Sequence, residues 1–585
     1  MRVDQSAQDA SQPGRKGGEF FTAPSQDAHR RYEALRAYFV EGLTAAQAAR
    51  RFDYSVAAVN SAVRDFRAGR RQFFTPAKPG PRRAPAKDAA RDRVLVLRAS
   101  GHSIDEIATA LAAEGTPLNR TGIAEILSQA GVPRIWRRPE QLRGAPRREQ
   151  LPRAGIIDLA GLPAVSHTRM AGLLLAIPDL VALDLPQLVR SAGYPGTKVI
   201  PAVSSILSLL ALKLTTTRRV SHVDDLAADP GAALFAGLAA LPKKSALTSY
   251  SYRLDHALQQ AFLAALDNKM IGAGLACQDE AIFDLDFHAI MHWGEDPGLE
   301  KHYVPRRSQR TRSVLTFFAH DAGTHNLLYA NADLSKATQN RDVITFCDHW
   351  RQVSGSDPAM LVMDQKVTTQ QVLGELDQRG VKFLTLRMRS TSLTRQINAL
   401  PATAYTTITL DRPGTHHRPK VAEQAGVKLS SYPGVVRQLI VRGLGREAPT
   451  VIITNDHDTA TKHLIERYAR RMTIEQRLAE AIRSFHLDAL SSAVNLNVDL
   501  DVALSVLAHA LCAALRRRLP GHQTATPDTL QRRFLQTSGR ILNRDDHVIV
   551  QLNRRTYSPI LRAANIPQHT PVPWWGNRPL RFDFT

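Results

Sequence analysis

The sequence predicts a mixed α/β protein whose sheet follows an amino-terminal series of helical modules. Up to about residue 275, apolar residues recur at helical spacing, and from Glu280 short β-rich runs alternate with helical stretches. Residues 280–390 predict three strands, a helix, a strand, a helix and a strand, in that order. A strand meander followed by alternating helices and strands is typical of a mixed sheet covered by helices.

Positive charge is concentrated near the amino terminus. The 585 residues are enough for about three or four domains and carry a formal net charge of +22. Residues 1–154 hold 27 Lys or Arg against 16 Asp or Glu, and the other 431 residues hold 49 against 38. Half of the excess therefore lies in about a quarter of the chain. Such a region indicates a polyphosphate-binding surface, with a generic solubilising face as the alternative.

Cysteine usage and hydropathy indicate where the protein works. Three widely separated cysteines, Cys277, Cys347 and Cys512, fit a reducing compartment and exclude a thiolate metal site. The amino terminus lacks the apolar run of a signal peptide. The longest apolar stretch, residues 502–515, is too short to cross a membrane, so we expect a buried core helix. We expect a cytoplasmic protein with no membrane partner.

Two similar helical units follow a polar tail that we expect to be disordered, residues 1–28. Residues 29–72 predict a long helix and two short helices joined by a tight turn, the outline of a helix-turn-helix. Residues 88–135 repeat this pattern. Thr44 with Gln47, and Ser103 with Glu106, form capping boxes. Basic Pro-rich linkers follow each unit, at residues 73–87 and 136–155, and the arrangement suggests bipartite recognition of a long DNA site.

The third helix of the first unit has the pattern of a DNA-reading helix. One stripe is apolar and is expected to face the core: Val56, Val59, Val63 and Phe66. Asn60, Arg64 and Arg67 fall on the opposite face, where Asn can read adenine and Arg can read guanine or hold phosphate. The alternative is a three-helix packing module with a solvated outer face.

The remaining chain divides by composition. Residues 156–275 are rich in Leu and Ala and predict a helical domain. Residues 276–520 hold the mixed sheet, interrupted by a β-rich insertion at about residues 395–455. Residues 521–585 form a carboxy-terminal extension with a β-like piece and an aromatic tail.

Acidic residues stand where core packing alone would not place them. Asp284 and Asp286 alternate along an apolar strand and so share one face, and Asp364 ends another apolar strand. Buried carboxylates are costly without a cation, and ligands gather at the carboxyl ends of strands. Carboxylates suit Mg²⁺, and two such ions can drive an in-line displacement at phosphorus.

A helix after the insertion offers a third acid. Tyr468, Arg471 and Glu475 fall on one helical face, where Tyr and Arg can contact phosphate while Glu475 reaches a metal. The alternative is the polar face of an ordinary amphipathic helix.

In "DLDFHAI", "VMDQKVTTQQVLGELDQRGVKFLTLRMR" and "YARRMTIEQRLAEAI" the sequence resembles the DDE transposases of bacterial insertion sequences. The branch concerned has a third motif of Tyr, two residues, Arg, three residues, Glu, six residues and Lys. Tyr468, Arg471 and Glu475 match it in type and spacing. Ile482 stands where the signature has Lys, and the adjacent Arg483 is the candidate for its phosphate contact.

This resemblance implies an RNase H-like mixed sheet with a β-rich insertion. In that fold the first aspartate lies on the first strand, the second ends the fourth strand and the glutamate sits on a later helix. Asp286, Asp364 and Glu475 are therefore expected to hold Mg²⁺, with Mn²⁺ as a substitute. Asp286 is preferred to Asp284 because "DFHAI" resembles the family's first motif.

The resemblance implies a DNA transposase that binds terminal inverted repeats through about residues 29–135 and catalyses strand cleavage and strand transfer. Its partners would be the element ends and target DNA, held by a homodimer in a synaptic complex, in the nucleoid of a bacterial cytoplasm. Two alternatives remain: a catalytically silent DNA-binding derivative, and a metal-dependent nuclease without strand transfer.

Two further signals have a structural and a functional interpretation. His288 and His292, with Glu295 and Asp296, have zinc-like spacing, but they follow a strand instead of lying on a helix. His288 is also close enough in sequence to Asp286 to contact phosphate. The Trp574–Trp575 pair is expected to pack the tail against the core, with base stacking as the alternative.

Overall fold

The structure is a computed structural model that forms two compact units, residues 1–147 and 148–585. The side chains of residues 19, 22, 85, 472–475, 477 and 495–497 lie outside the described part, as do residues 1–18, 23 and 25 of the predicted tail and residues 74–84 and 136–151 of the predicted linkers. The described residues are 19–22, 24, 26–70, 73, 85–132, 152–215, 217, 220–277, 279–291, 299–304, 309–364, 366–411, 418–443, 448–487 and 495–584.

The first unit contains two groups of three helices, which we call the first trio (α2 to α4) and the second trio (α5 to α7). Each trio has its own small apolar core, and the predicted capping boxes at Thr44 and Ser103 are both formed. The helices of this unit are α1 (Glu19–Thr22), α2 (Asp27–Phe39), α3 (Ala45–Arg51), α4 (Val56–Arg67), α5 (Pro85–Ala99), α6 (Ile104–Ala113) and α7 (Arg120–Gln129).

The second unit begins with a short strand and six helices. The strand, β1 (Val165–Thr168), lies inside the region whose composition predicts helices. The helices, rich in buried Leu and Ala, are α8 (Ile177–Ala182), α9 (Leu185–Ser191), α10 (Ala202–Leu214), α11 (Pro230–Phe235), α12 (Lys244–Ser251) and α13 (His256–Gly272).

A ten-stranded mixed sheet occupies the middle of the second unit. Its strands are β2 (Ile282–Met291), β3 (Lys301–Val304), β4 (Gln309–Asp321), β5 (Leu327–Asn331), β6 (Met360–Met363), β7 (Lys382–Leu386), β8 (Thr406–Thr407), β9 (Lys420–Lys428), β10 (Val435–Arg442) and β11 (Thr450–Thr454). Helix α14 (Asp342–Ser354) connects β5 to β6, α15 (Gln370–Gln378) connects β6 to β7, and α16 (Thr391–Asn398) follows β7.

The strand order is β3-β4-β2-β6-β7-β11-β10-β9-β8, with β5 also paired to β4. Strands β2, β6 and β7 are parallel, so their carboxyl ends meet at one edge. The predicted mixed sheet is confirmed, and the elements predicted between residues 280 and 390 occur in the predicted order, with β3 as an addition. Strand β3 was not predicted. The segment predicted as an insertion supplies β8 to β11, which continue the same sheet beyond β7.

Two long helices, α17 (Thr461–Ser484) and α18 (Asn495–Arg518), follow the sheet. Helix α17 packs over β6 and β7 through Leu464 and Ile465. Helix α18 is long and apolar enough to span a membrane, but 89% of its most apolar window is buried inside the fold. It is therefore a core helix, as expected, and the reason is its burial, since the helix is longer than the apolar stretch 502–515.

The carboxy-terminal extension contains α19 (Pro527–Leu530), β12 (Gly539–Asn543), β13 (Val548–Leu552), α20 (Ser558–Ala563), β14 (Thr570–Val572) and β15 (Arg578–Phe584). These strands form a second sheet in the order β1-β12-β13-β15-β14. Trp575 is buried and its Nε1 donates to the Leu234 carbonyl at 2.8 Å. A Cβ at Gly237, where φ is +68°, would meet the Trp574 ring at 2.9 Å. The prediction that these tryptophans pack the tail is confirmed.

We predict that Asp342 makes stability depend on pH. Its carboxyl accepts a hydrogen bond from Asn331 Nδ2 at 2.8 Å, and burial raises the pKa of Asp342 to about 7. The folded chain therefore holds this proton more tightly than the unfolded chain, whose Asp pKa is about 3.9, and stability falls as pH rises through that interval. Asp342→Asn should remove this contribution. The unfolding temperature of the variant should therefore rise relative to that of the native chain as the pH increases from 4 to 8. Parallel profiles would contradict the assignment.

Candidate active site

The strand carboxylates Asp286 and Asp364 occupy adjacent positions in the sheet. Strands β2 and β6 are parallel neighbours, and the last pair in their register is Leu285 with Met363. Asp286 is the next residue after Leu285, and Asp364 is the next residue after Met363. Neighbouring strands of a sheet lie about 4.8 Å apart. Both side chains are half-buried. The register therefore puts two aspartates at neighbouring positions.

Asp284 lies two residues before Asp286 on the same face of β2, further from the carboxyl end of the strand. It pairs with Val362, inside the hydrogen-bonded part of β6. Its side chain is only 3% exposed, against 21% for Asp286. Arg467 Nη2 lies 2.6 Å from Asp284 Oδ1. Burial raises the pKa of Asp284, and the Arg467 guanidinium opposes that rise.

Helix α17 carries a second arginine to the same face of β2. Arg471 is buried, and its Nη2 lies 3.4 Å from Asp286 Oδ1. Tyr468, one turn before it in the signature, is half-buried against the apolar cluster that includes Leu464. The structure thus brings Asp286 together with Arg471, and Asp364 directly follows the neighbouring strand β6.

Glu475 belongs to α17, one helical turn beyond Arg471. Its side chain lies outside the described residues. Among the side chains that are described, no three of His, Cys, Asp or Glu come together as a metal-binding group. Asp286 and Asp364 are therefore the described members of the predicted carboxylate set.

The departure from the family signature at Ile482 has a clear structural setting. Ile482 is 5% exposed and packs in the main core of the second unit. Arg483 is exposed, and its Nε donates to the Ala479 carbonyl at 3.2 Å. Position 482 therefore contributes to packing, and Arg483 is the cation nearest to it along the helix.

The beginning of α17 is held by a buried turn. The Asp456 carboxylate accepts hydrogen bonds from Thr459 N at 3.0 Å and Thr459 Oγ1 at 2.7 Å, and Lys382 Nζ lies 3.0 Å away. Burial raises the pKa of Asp456, but these donors outweigh it and lower the pKa to about 2. The buried Arg437 donates to Thr461 Oγ1 at 2.8 Å. These contacts fix where the helix begins.

The end of α17 is held by residues from distant parts of the sequence. Lys213 Nζ, on α10, donates to the Phe485 carbonyl at 3.1 Å and lies 2.6 Å from Asp501 Oδ2 on α18. Gln531 Nε2, from the carboxy-terminal extension, donates to the Ser484 carbonyl at 3.2 Å and to the Lys213 carbonyl at 3.0 Å. The helix that carries Glu475 is therefore anchored at both ends.

The zinc-like cluster finds no support in the described chain. His288 lies in β2, where Thr316 Oγ1 donates to its carbonyl at 2.8 Å. His292, Glu295 and Asp296 lie outside the described residues. His288 is thus on a strand, two residues beyond Asp286 on the same face.

In the first trio, the three predicted DNA-reading residues of α4 are all exposed: Asn60, Arg64 and Arg67. The predicted apolar stripe is only half buried, because Val59 and Val63 lie in the core while Val56 and Phe66 are 46% and 44% exposed. Phe66 instead packs beside Phe39, with ring centroids 5.5 Å apart. The prediction was wrong for Val56 and Phe66, at the two ends of the stripe, because a short helix meets its neighbours only along its central turns.

The two trios differ in charge. Residues 27–70 hold eight Lys or Arg against five Asp or Glu, a net charge of +3, whereas residues 85–132 hold five against six, a net charge of −1. In the second trio Arg93 Nε bonds Glu114 at 2.9 Å and Arg120 lies 2.6 Å from Asp105. Within the described chain, Arg64 bonds only Ser61, and no carboxylate pairs with it. The net charge of the first trio therefore favours phosphate binding more than that of the second trio.

Comparisons with known proteins place the chain in a family. The family model described as "Transposase DDE domain group 1" matches residues 202–568, more than half of the chain. The chain belongs to this family of DDE transposases, as its motifs predicted. This membership implies polynucleotidyl transferase activity in general, and the family generally uses divalent metal ions. No curated protein matches the chain.

Two solved structures are similar at low sequence identity. One is the cryo-EM structure of a piggyBac transposase synaptic complex with hairpin DNA, with 11% identity, a TM-score of 0.34, and 66% of this chain and 82% of that chain covered. The other is the crystal structure of a pre-cleavage Mos1 transpososome, with 10% identity, a TM-score of 0.13, and 61% and 77% covered.

Sequence reasoning missed Arg467 and the anchors of α17. Arg467 was detectable, because it lies four residues before Arg471 just as Asp284 lies two residues before Asp286, and both spacings keep a pair on one face. Lys213 and Gln531 gave no such signal. Their contacts with α17 join positions 272 and 47 residues apart, and no local pattern announces them.

We predict that Lys213→Met lowers the free energy of unfolding by about 3 kcal/mol, because it leaves Asp501 without its cation and the Phe485 carbonyl without its donor. Lys213→Met combined with Asp501→Leu should recover much of this loss, since an apolar pair replaces the ion pair. Denaturant unfolding of the three proteins checks both statements. An additive loss in the double variant would show that the ion pair is not the cause.

We also predict that Arg64→Ala weakens binding of the chain to its cognate end DNA by roughly tenfold, the usual effect of losing one base or phosphate contact. Arg120→Ala is the matched control, because Arg120 begins the corresponding helix α7 but already pairs with Asp105. It should change binding by less than about twofold on the same scale. Fluorescence anisotropy at one fixed salt concentration measures both, and a larger effect of Arg120→Ala would contradict the assignment.

Proposed function

We propose that this protein is a DNA transposase that binds the two ends of its element, cleaves the DNA there and joins the freed strand to a target. The observation that supports this most is the placement of Asp286 and Asp364 side by side under helix α17, which carries Glu475. Two strand carboxylates and one helix carboxylate are the donor set that the family resemblance implies.

The sheet has the features expected of an RNase H-like core. Asp286 lies on β2, the first strand of the predicted series, and Asp364 directly follows β6, the fourth of that series after β2, β4 and β5. Glu475 lies on a helix that follows the added strands β8 to β11. This order of elements supports the RNase H-like assignment and the role of residues 395–455 as an insertion into it.

The described donors suit a hard divalent cation. Asp286 and Asp364 offer carboxylate oxygens, the ligands that Mg²⁺ and Mn²⁺ prefer, and both are partly exposed, so a hydrated ion has access to them. We assign Asp286, Asp364 and Glu475 as the residues that hold the ions. When bound, such ions activate the attacking oxygen and stabilise the leaving oxygen of a phosphodiester.

The cationic side chains of α17 complete the site. Arg471 lies 3.4 Å from Asp286, and its guanidinium is a donor group that suits a scissile phosphate. Tyr468 lies on the same helical face and can orient that phosphate through its hydroxyl. Arg483, exposed near the end of α17, is the residue that takes over the phosphate contact of the signature lysine.

The amino-terminal trios are assigned to DNA recognition, with α4 as the reading helix through Asn60, Arg64 and Arg67. Their exposure and the net positive charge of the first trio support this role. Because two ends must be cut in concert, the active form is a homodimer in a synaptic complex. The trios and the acidic pair together favour transposition over a silent DNA-binding derivative or a simple nuclease.

We predict that Glu475→Gln binds a labelled duplex carrying the element end like the native chain but cuts it at least about 100-fold more slowly, because the charge of a metal ligand is lost while its size is kept. Glu466→Gln is the matched control on the same helix. Its Oε1 accepts a hydrogen bond from Asp411 N at 2.7 Å, away from the strand carboxylates, and it should cut at the native rate.

The same reactions, with Mg²⁺ and a supercoiled plasmid as target, separate the alternatives. Joined products support transposition, and cutting without joining identifies a nuclease. Binding without cutting by the native chain identifies a silent derivative. Equal cutting by Glu475→Gln and the native chain would remove Glu475 from the active site.

A further inference from the structure

Arg467 and Asp284 form a buried ion pair that the proposed chemistry does not use. Arg467 Nη2 lies 2.6 Å from Asp284 Oδ1, and the two side chains are only 14% and 3% exposed. The pair joins α17 to β2 directly. Removing either partner of such a pair leaves an uncompensated buried charge, so the contact constrains how the two elements dock.

The spacing of this pair matches that of the next one along the helix. Asp284 and Asp286 are two strand residues apart, about 6.7 Å, and Arg467 and Arg471 are four helical residues apart, about 6 Å. Helix α17 therefore runs beside β2 in the same direction, with two successive ion pairs at the same interval. One further turn brings helix position 475 past Asp286, towards the carboxyl ends of the parallel strands.

The burial of Asp284 argues against a role as a metal ligand. Its neighbour on β6 is Val362, whereas Asp286 stands beside Asp364. Mg²⁺ keeps several of its waters when it binds to protein, so it needs an accessible carboxylate. A side chain with 3% exposure, already in contact with a guanidinium, does not offer that.

We propose that Asp284 and Arg467 are positioning residues, whose ion pair sets the register of α17 along β2 and thereby the level of position 475 relative to Asp286 and Asp364. A slip of one residue would move the helix by about 1.5 Å and rotate it by about 100°, taking position 475 off this face. The inference rests on the proposed function, because it gives the register of α17 a role in cleavage.

The first test measures the binding of Mn²⁺ to the full chain by titration calorimetry, without DNA. Asp286→Asn should weaken binding by at least about tenfold, because it removes a ligand. Asp284→Asn should weaken it less, and to the same extent as Arg467→Gln, because either change shifts position 475 and leaves the proposed ligands in the chain. Equal losses in Asp286→Asn and Asp284→Asn would make Asp284 a ligand and overturn the proposal.

The second test is cleavage of the labelled end duplex. Asp284→Asn and Arg467→Gln should each lower kcat by roughly 100-fold with KM nearly unchanged, the effect of a misplaced catalytic group. Arg467→Lys keeps the positive charge and should restore most of kcat. The double variant Asp284→Arg with Arg467→Asp exchanges the two residues, and its kcat should be higher than that of Asp284→Arg alone or Arg467→Asp alone. Native kcat in Asp284→Asn and Arg467→Gln, or no rescue by Arg467→Lys and by the double variant, would overturn the proposal.

A control separates position from stability. Asp179, on α8, forms a comparably buried ion pair with Arg518 at the end of α18. Asp179→Asn should lower the thermal unfolding temperature about as much as Asp284→Asn but leave kcat unchanged. If both variants lose kcat equally, loss of stability explains the result and the positioning role is wrong. If the native chain does not cut at all, the proposed function fails, and the Mn²⁺ titration still decides the role of Asp284.

Discussion

The candidate site depends on the register between two parallel strands. Because β2 and β6 are aligned with Leu285 beside Met363, the residue that follows in each of the two segments is an aspartate, and two carboxylates stand at neighbouring positions. Like charges at neighbouring positions repel, so this alignment needs support from the rest of the fold. The apolar residues on the opposite face, among them Phe283 and Leu361, hold the alignment by packing into the main core. Hydrophobic burial on one face of the strands thus holds an alignment that electrostatic repulsion on the other face opposes, and this repulsion is a source of strain.

That strain is offset by cations from a single helix. Arg467 and Arg471 come from α17, and their guanidinium groups face Asp284 and Asp286. The helix can supply them only if it lies in one place along the strand. Its two ends are accordingly fixed by contacts from four separate parts of the chain, through Arg437, Asp456, Lys213 and Gln531. The position of α17 is thus set by several distant parts of the second unit.

The sequence was most informative where structure is local. Helix caps such as Thr44, the strands between residues 280 and 390 and the shared face of Asp284 and Asp286 follow from patterns a few residues long. Contacts between distant segments were not predictable, so β1 was missed and the partners of α17 were not anticipated. Asp284 shows the limit clearly. It is the same residue type as Asp286 and lies on the same face of β2, and its neighbour on β6 is what differs: Val362 beside the buried Asp284, and Asp364 beside Asp286, the proposed metal ligand.

The pairing of β1 with β12 has a consequence for the order of folding. Val165 meets Leu542 across most of the second unit, and Gln531, just before β12, caps the end of α17. During synthesis the trios emerge first and can fold from local contacts alone, whereas α17 gains its last hydrogen bonds only after nearly the whole chain has left the ribosome. A nascent chain would thus have folded trios before α17 is fixed, so under the proposed function DNA binding and catalysis would become available at different times.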